Sequence, residues 1–215
     1  MSKNTLSGAS MAASTEVISS SQHPLFPSLC TAYFDVFSGP PYFDEFEDGD
    51  VERECSKYTG PRGTFTVVAV EGNGRDQNVV SFGCCIRSDL AKVAPFLDTQ
   101  RASLPFELSE SVYMAELGTR NESRGNGLGH QMILERLRWA KQQGLKYYLM
   151  RTSADGGSSD RLYNHIGAKQ LPFHEIPLGE FATVAPKPRV YWYGCVDASI
   201  AALEQILRNW QSSAA

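Results

Sequence analysis

The chain has 215 residues, 42% of them hydrophobic and 20% charged, a composition of folded domains rather than disordered chains. Its net charge of -4 offers no basic face to nucleic acid, and no apolar run approaches the ~20 residues that cross a bilayer. The five cysteines (Cys30, Cys55, Cys84, Cys85, Cys195) and four histidines show neither a disulfide framework nor ligand spacing, so reduced thiols in a cytoplasmic protein without metal are expected.

Residues 1–20 are rich in Ser and Ala, lack the apolar core of a secretory signal, and read as a disordered tail entering a first strand near Thr15 to Ser19. Residues 21–215 read as one domain. From His23 to Phe37, Phe26, Leu29, Cys30, Tyr33, Phe34 and Phe37 recur at helical spacing until Gly39-Pro40-Pro41 stops the helix. A short helix is expected over Val51 to Tyr58. Thr64 to Glu71 and Val79 to Arg87 are β-branched runs around the turn Gly72-Asn73-Gly74, which predicts a hairpin. Asp89 to Glu110 reads as irregular with a helical turn.

Ser111 to Leu117 predicts a further strand. Leu128 to Gln143 predicts a helix, with Ile133, Leu137 and Ala140 on its apolar face, Arg136, Arg138 and Lys141 as polar positions, and Gly144 at the stop. Tyr147 to Thr152 is a short buried-type strand. A helix over Ser158 to Ile166 ends at Gly167, and a late strand covers Val190 to Val196. A terminal helix spans Ser199 to Trp210, with Ile200, Leu203, Ile206, Leu207 and Trp210 spaced for burial. The order predicts an α/β fold: a mixed central β-sheet flanked by helices, with a parallel pair joined by the Leu128 helix.

Between a strand and that helix lies Ser123-Arg124-Gly125-Asn126-Gly127-Leu128-Gly129-His130. The first turn of a helix leaves backbone N–H groups unpaired and partly positive, which suits phosphate. Glycines let the backbone approach closely, and Arg124 adds charge-assisted contacts. The dinucleotide pattern fails, because its third glycine falls on His130 or Met132, and no Gly-Lys-Ser/Thr ending marks a triphosphate loop.

Arg124, Gly127 and Gly129 instead form Arg-x-x-Gly-x-Gly, and Leu162-Tyr163-Asn164-His165-Ile166-Gly167 follows in the second helix. The stretch from Ser111 to Leu171 resembles the GNAT superfamily of N-acetyltransferases. That resemblance implies the acyl-CoA N-acyltransferase fold and acetyl-CoA as co-substrate. It implies a pyrophosphate held by Arg124, Gly125, Asn126, Gly127, Leu128, Gly129 and His130, and a pantetheine arm paired along Leu117, Gly118 and Thr119. A side chain at Gly127 would on this reading enter the space of the pyrophosphate. Family members often carry Asn seven residues before the tyrosine; here that position is Gly156, which leaves the contact to Ser158 or the backbone.

Amide formation from a thioester needs a neutral amine, and alkyl amines have a pKa near ~10.4, so a base is required. Aminoglycoside acetyltransferases of the superfamily carry a catalytic carboxylate eight residues before the loop arginine, which here is Glu116. The plainer reading of Glu116 is a strand-end salt bridge. Tyr163 matches the family tyrosine that faces the coenzyme sulfur. Seven carboxylates lie between Asp44 and Glu54, most of them read as a solvated rim; Tyr42, Phe43 and Asp44 are the acceptor candidates, and an acidic rim favours a cation.

The expected function is transfer of an acetyl group to a primary amine of a small molecule by direct attack in a ternary complex, in a monomer or homodimer that needs neither nucleic acid nor membrane. A silent coenzyme-binding module, a protein or peptide N-acetyltransferase and a longer-chain acyltransferase are the alternatives.

Overall fold

The computed structural model describes residues 13–154, 158–176 and 188–214. Strand β1 (Ser14–Val17) leads to helices α1 (Phe26–Phe37) and α2 (Asp50–Ser56). The hairpin follows as β2 (Thr64–Glu71) and β3 (Asn78–Arg87), then α3 (Ala94–Thr99) and β4 (Ser111–Thr119). The second half runs α4 (Leu128–Gln142), β5 (Tyr147–Ser153), α5 (Ser158–His165), β6 (Lys169–Glu175), β7 (Arg189–Cys195) and α6 (Val196–Ala214).

Among the described residues seven strands form one sheet in the order β1-β2-β3-β4-β5-β7-β6. The hairpin is antiparallel and β4 runs parallel to β5 through α4, as the sequence pattern implies. β1 pairs with β2 and Ile18 after it is buried, so ordered chain begins inside the stretch read as a tail, while residues 1–12 lie outside the described ones. Strand β6 had no sequence signal. Pro172 cannot donate to a ladder, and it falls where the pairing of β6 with β7 shifts between Gln170 and His174, on the sheet edge where a proline is tolerated.

Two faces are covered. α1, α2 and the α3 region bury Leu29, Tyr33, Phe37, Phe82, Leu97 and Tyr113 on one. α4, α5 and α6 bury Ile133, Leu137, Tyr148, Tyr163 and Leu203 on the other. No helix of the described residues is long and apolar enough to cross a membrane.

Two expectations are corrected. Arg136, read as a polar position outside the apolar face, is only 2% exposed. It lies three residues after Ile133 and four before Ala140, which is the apolar stripe of α4 itself. Trp210, spaced for burial, is 42% exposed, because α6 runs past the sheet and carries it over the loop before α4.

Candidate active site

The site is set by where β4 loses a neighbour. β4 pairs with β5 only over Ser111 to Met114, against Tyr147 to Met150, yet continues along β3 to Thr119. From Ala115 onward its β5 side is an unpaired strand edge. The N–H of Arg120 donates to Val80 O on β3 at 2.9 Å. By the alternation of an antiparallel ladder, Gly118 and Glu116 also turn their backbone groups to β3, and Leu117 and Thr119 turn theirs to the open side. The structure agrees at Thr119, whose carbonyl accepts a 3.1 Å hydrogen bond from Arg124 Nε in the loop.

A bulge aims the candidate base. Between the pairs Ile86↔Tyr113 and Cys84↔Glu116, β4 uses one residue more than β3. Tyr113 and Ala115 pack with the α3-side cluster and Leu117 with the α4-side clusters. Glu116 sits opposite Cys84, which belongs to the α1–α2 core, so the extra residue keeps Glu116 on that face beside Ala115 instead of turning it toward α4. There its charge is felt by Tyr33, Tyr42, Tyr58 and Cys84. Burial pushes its carboxyl up to about 7; Arg151 and Arg136 oppose the rise, and Glu54 and Asp44 add to it.

Arg136 holds the bulge from below. Its Nη1 donates to the carbonyls of Cys84 and Glu116, each at 3.1 Å, and its Nε to Met132 O at 3.1 Å. A Cβ at Gly83 would stand 2.8 Å from that Nε, so glycine there makes room for the guanidinium. Burial lowers the Arg136 pKa, the cost of holding a charge without a bonded carboxylate.

The loop before α4 is open where a phosphate needs it. Gly127 caps the helix at φ 78°, a left-handed conformation suited to glycine, and Gly125 has φ 83°. A Cβ on Gly125 or Gly129 would meet nothing within 4 Å. At Gly127 it would meet the Trp210 ring at 2.4 Å, so the space beside this glycine belongs to α6 and not to the pyrophosphate.

The Acetyltransferase (GNAT) family matches residues 27–168, more than half of the sequence. The chain belongs to this family. It is an N-acetyltransferase by domain and by fold. No curated protein matches the sequence. Among solved structures, Arabidopsis thaliana NAA60 in complex with acetyl-CoA aligns at TM-score 0.59 and 12% identity, over 86% of this chain and 99% of that one. The ribosomal-protein-S18-alanine N-acetyltransferase of Escherichia coli aligns at 0.57 and 10%, over 85% and 94%. Nourseothricin acetyltransferase overlaps more loosely, at 0.46 and 12%, over 63% of this chain and 66% of its own length. At such identities the likeness concerns the fold alone.

Within this GNAT domain the remaining candidates fall in two groups. On the loop side, Leu128 is buried in the core, Arg124 is exposed, and the Asn126 side-chain amide turns back to Ser123 O at 3.4 Å. Tyr163 is buried on the α4 face, in the cluster that Leu117 packs against; burial raises its pKa and Arg136 opposes that rise. Ser158 opens α5, but its side chain and Gly156 lie outside the described residues.

On the other side, the Tyr42 ring packs against Phe37 at 4.9 Å, and the N–H of Asp44 donates to Phe37 O at 2.9 Å. Between them Phe43 has φ 54° and is 52% exposed. Burial raises the pKa of Asp44, and Arg189 of β7 opposes the rise. Asp50 is spoken for: its carboxylate pairs with Arg53 and accepts the Glu47 N–H at 2.9 Å. Glu116 thus shares a face with Tyr42 and Asp44, while Tyr163 lies on the other face of the sheet.

Arg136, Arg151 and Arg189 were missed as site residues. For Arg136 the signal was a charge set into an apolar stripe. For Arg151 and Arg189 no local signal existed, since each matters only because β5 and β7 are neighbours. Hollows of about 400 and 560 Å³ flank Tyr147 and Cys195, and neither is lined by Glu116 or the loop.

Proposed function

We propose that the chain transfers an acetyl group from acetyl-CoA to a primary amine by direct attack in a ternary complex. The observation that carries this reading is the Glu116 carboxyl, raised to about 7 and aimed by a bulge at the end of a strand edge left unpaired. The edge at Leu117 and Thr119 would take the pantetheine amides as an added strand. The amides from Gly125 to His130 would hold the pyrophosphate at the start of α4. The thioester then reaches the gap between β4 and β5, with the amine arriving from the α1–α2 face.

A base near 7 is ionised in about half of the molecules at neutral pH and takes the ammonium proton directly or through one water. The neutral nitrogen attacks the thioester carbon, and a backbone N–H of β4 meets the oxyanion. Collapse breaks the C–S bond, and Tyr163 donates to or orients the leaving thiolate. Asp44 and Glu54 beside Glu116 make the approach acidic, which favours a cationic small-molecule acceptor.

The test has two arms. Calorimetry with acetyl-CoA should show binding, with a rise in melting temperature. A panel of polyamines, aminoglycosides, amino acids and N-terminal peptides, each with acetyl- and longer acyl-CoA, should then show turnover greatest for acetyl-CoA with a cationic small amine. Absence of binding at millimolar acetyl-CoA removes the coenzyme assignment. Turnover confined to peptides would move the acceptor to the protein class.

A further inference from the structure

We propose that Trp210, flanked by His130 and His165, is the platform on which the adenine ring of the coenzyme stacks; this rests on the coenzyme reading above. The platform is built from three separate elements. Trp210 comes from the last turns of α6, His130 from the first turn of α4 and His165 from the end of α5. The Trp210 and His130 rings meet edge to face, with centroids 5.0 Å apart and planes at 75°. His130 and His165 lie nearly parallel, 6.5 Å apart and 16° between planes.

Position makes the case for adenine. Trp210 lies against Gly127, in the middle of the loop whose amides are assigned to the pyrophosphate. In coenzyme A the ribose and adenine follow the pyrophosphate directly, so the base must land within about one sugar of that loop. Trp210 is a large hydrophobic residue that is both exposed and in contact with the loop. An indole that rests beside a glycine and keeps 42% of its surface exposed offers π surface that any nucleobase can cover.

The histidines supply a polar edge. His130 Nε2 is buried and has no hydrogen-bond partner among the described residues. Burial lowers the His130 pKa, with His165 adding to the shift, which favours a neutral ring. The other ring nitrogen of a neutral His130, which is not buried in this way, can donate to or accept from an adenine edge. Glycine at 127 then has a structural reason: any side chain there would displace the platform.

Calorimetry on the full chain separates this idea from its rivals. Acetyl-CoA and acetyl-4′-phosphopantetheine share the thioester, the pantetheine arm and one phosphate, and the former adds the second phosphate and a 3′-phosphorylated adenosine. Trp210→Ala should weaken acetyl-CoA about tenfold and leave acetyl-4′-phosphopantetheine unchanged, whereas Trp210→Phe should keep most of the affinity. Acetyl-CoA should also quench the exposed indole in the wild type, and the quench should vanish in Trp210→Phe, which keeps the test alive if the alanine variant does not fold. Equal weakening of both ligands would mean that the ring only shapes the loop and overturns the proposal. Unchanged acetyl-CoA affinity in Trp210→Ala overturns it as well. Failure of the wild type to bind either compound would instead overturn the coenzyme reading, and this one with it.

Discussion

The two faces of the sheet differ in how their working parts are assembled. On the α4 side the loop from Arg124 to His130, the helix it opens and Tyr163 lie within 40 residues of sequence, and local backbone geometry does most of the positioning. On the α1–α2 side Glu116 interacts with Tyr42, Asp44, Glu54 and Arg151, and Arg189 acts on Tyr42 and Asp44, so four further parts of the chain are drawn together. A phosphate site can be written in one segment because its ligands are main-chain N–H groups. A perturbed carboxylate needs burial and neighbouring charges, which only packing supplies.

The largest expected effect falls on the second face. Glu116→Gln should lower kcat by roughly 10² to 10⁴-fold with acetyl-CoA affinity unchanged. With the wild-type carboxyl at about 7, activity should rise as pH increases through that value, because the base must be ionised. The variant should lose that inflection, and its deficit should shrink at high pH as more amine is already neutral. Equal turnover of the two proteins from pH 6 to 9 would exclude Glu116 and turn attention to Asp44. Stability carries the opposite sign. A carboxyl raised above its unfolded value binds a proton in the native state between about 4.5 and 7, so wild-type stability should fall as pH rises through that window, and less so in Glu116→Gln.

Arg136 joins the two faces, so its loss should be felt on both. Arg136→Met strips donors from buried carbonyls at Cys84, Glu116 and Met132, which should lower unfolding free energy by about 1–3 kcal/mol in denaturant titration. Arg136→Lys keeps a charge with fewer donors and should lose less. Since Arg136 holds the Glu116 pKa down, the pH-rate inflection in Arg136→Met should move upward. An inflection that stays in place would show that Arg136 acts on the fold alone.

The loop glycines sharpen the contrast. Gly129→Val points into open space with no positive φ to oppose it, so it should fold and weaken acetyl-CoA roughly 10- to 100-fold, the worth of one charge-assisted hydrogen bond. Gly127→Val would drive a side chain into Trp210 and should show first as a lowered melting temperature. If Gly129→Val folds and keeps its affinity, the phosphate is elsewhere. The smallest effect is expected at Asp44→Asn, which should raise KM for a cationic amine a few-fold, about 1 kcal/mol, with kcat little changed. A neutral acceptor should show no such change.

Sequence by itself determined the sheet-forming hairpin, the parallel β4–α4–β5 unit and the loop, because each depends on neighbours in the chain: β-branched runs, glycine at positive φ, a helix start. Resemblance to the GNAT superfamily, and not spacing alone, marked Glu116 and Tyr163. Tertiary structure alone decided what those residues face. The bulge that aims Glu116 exists only in the register between β3 and β4. The buried Arg136 makes sense only once Gly83 and two carbonyls stand above it. Trp210 looked like a core residue because helical spacing reports which side of a helix is apolar, and not where along its length the core ends.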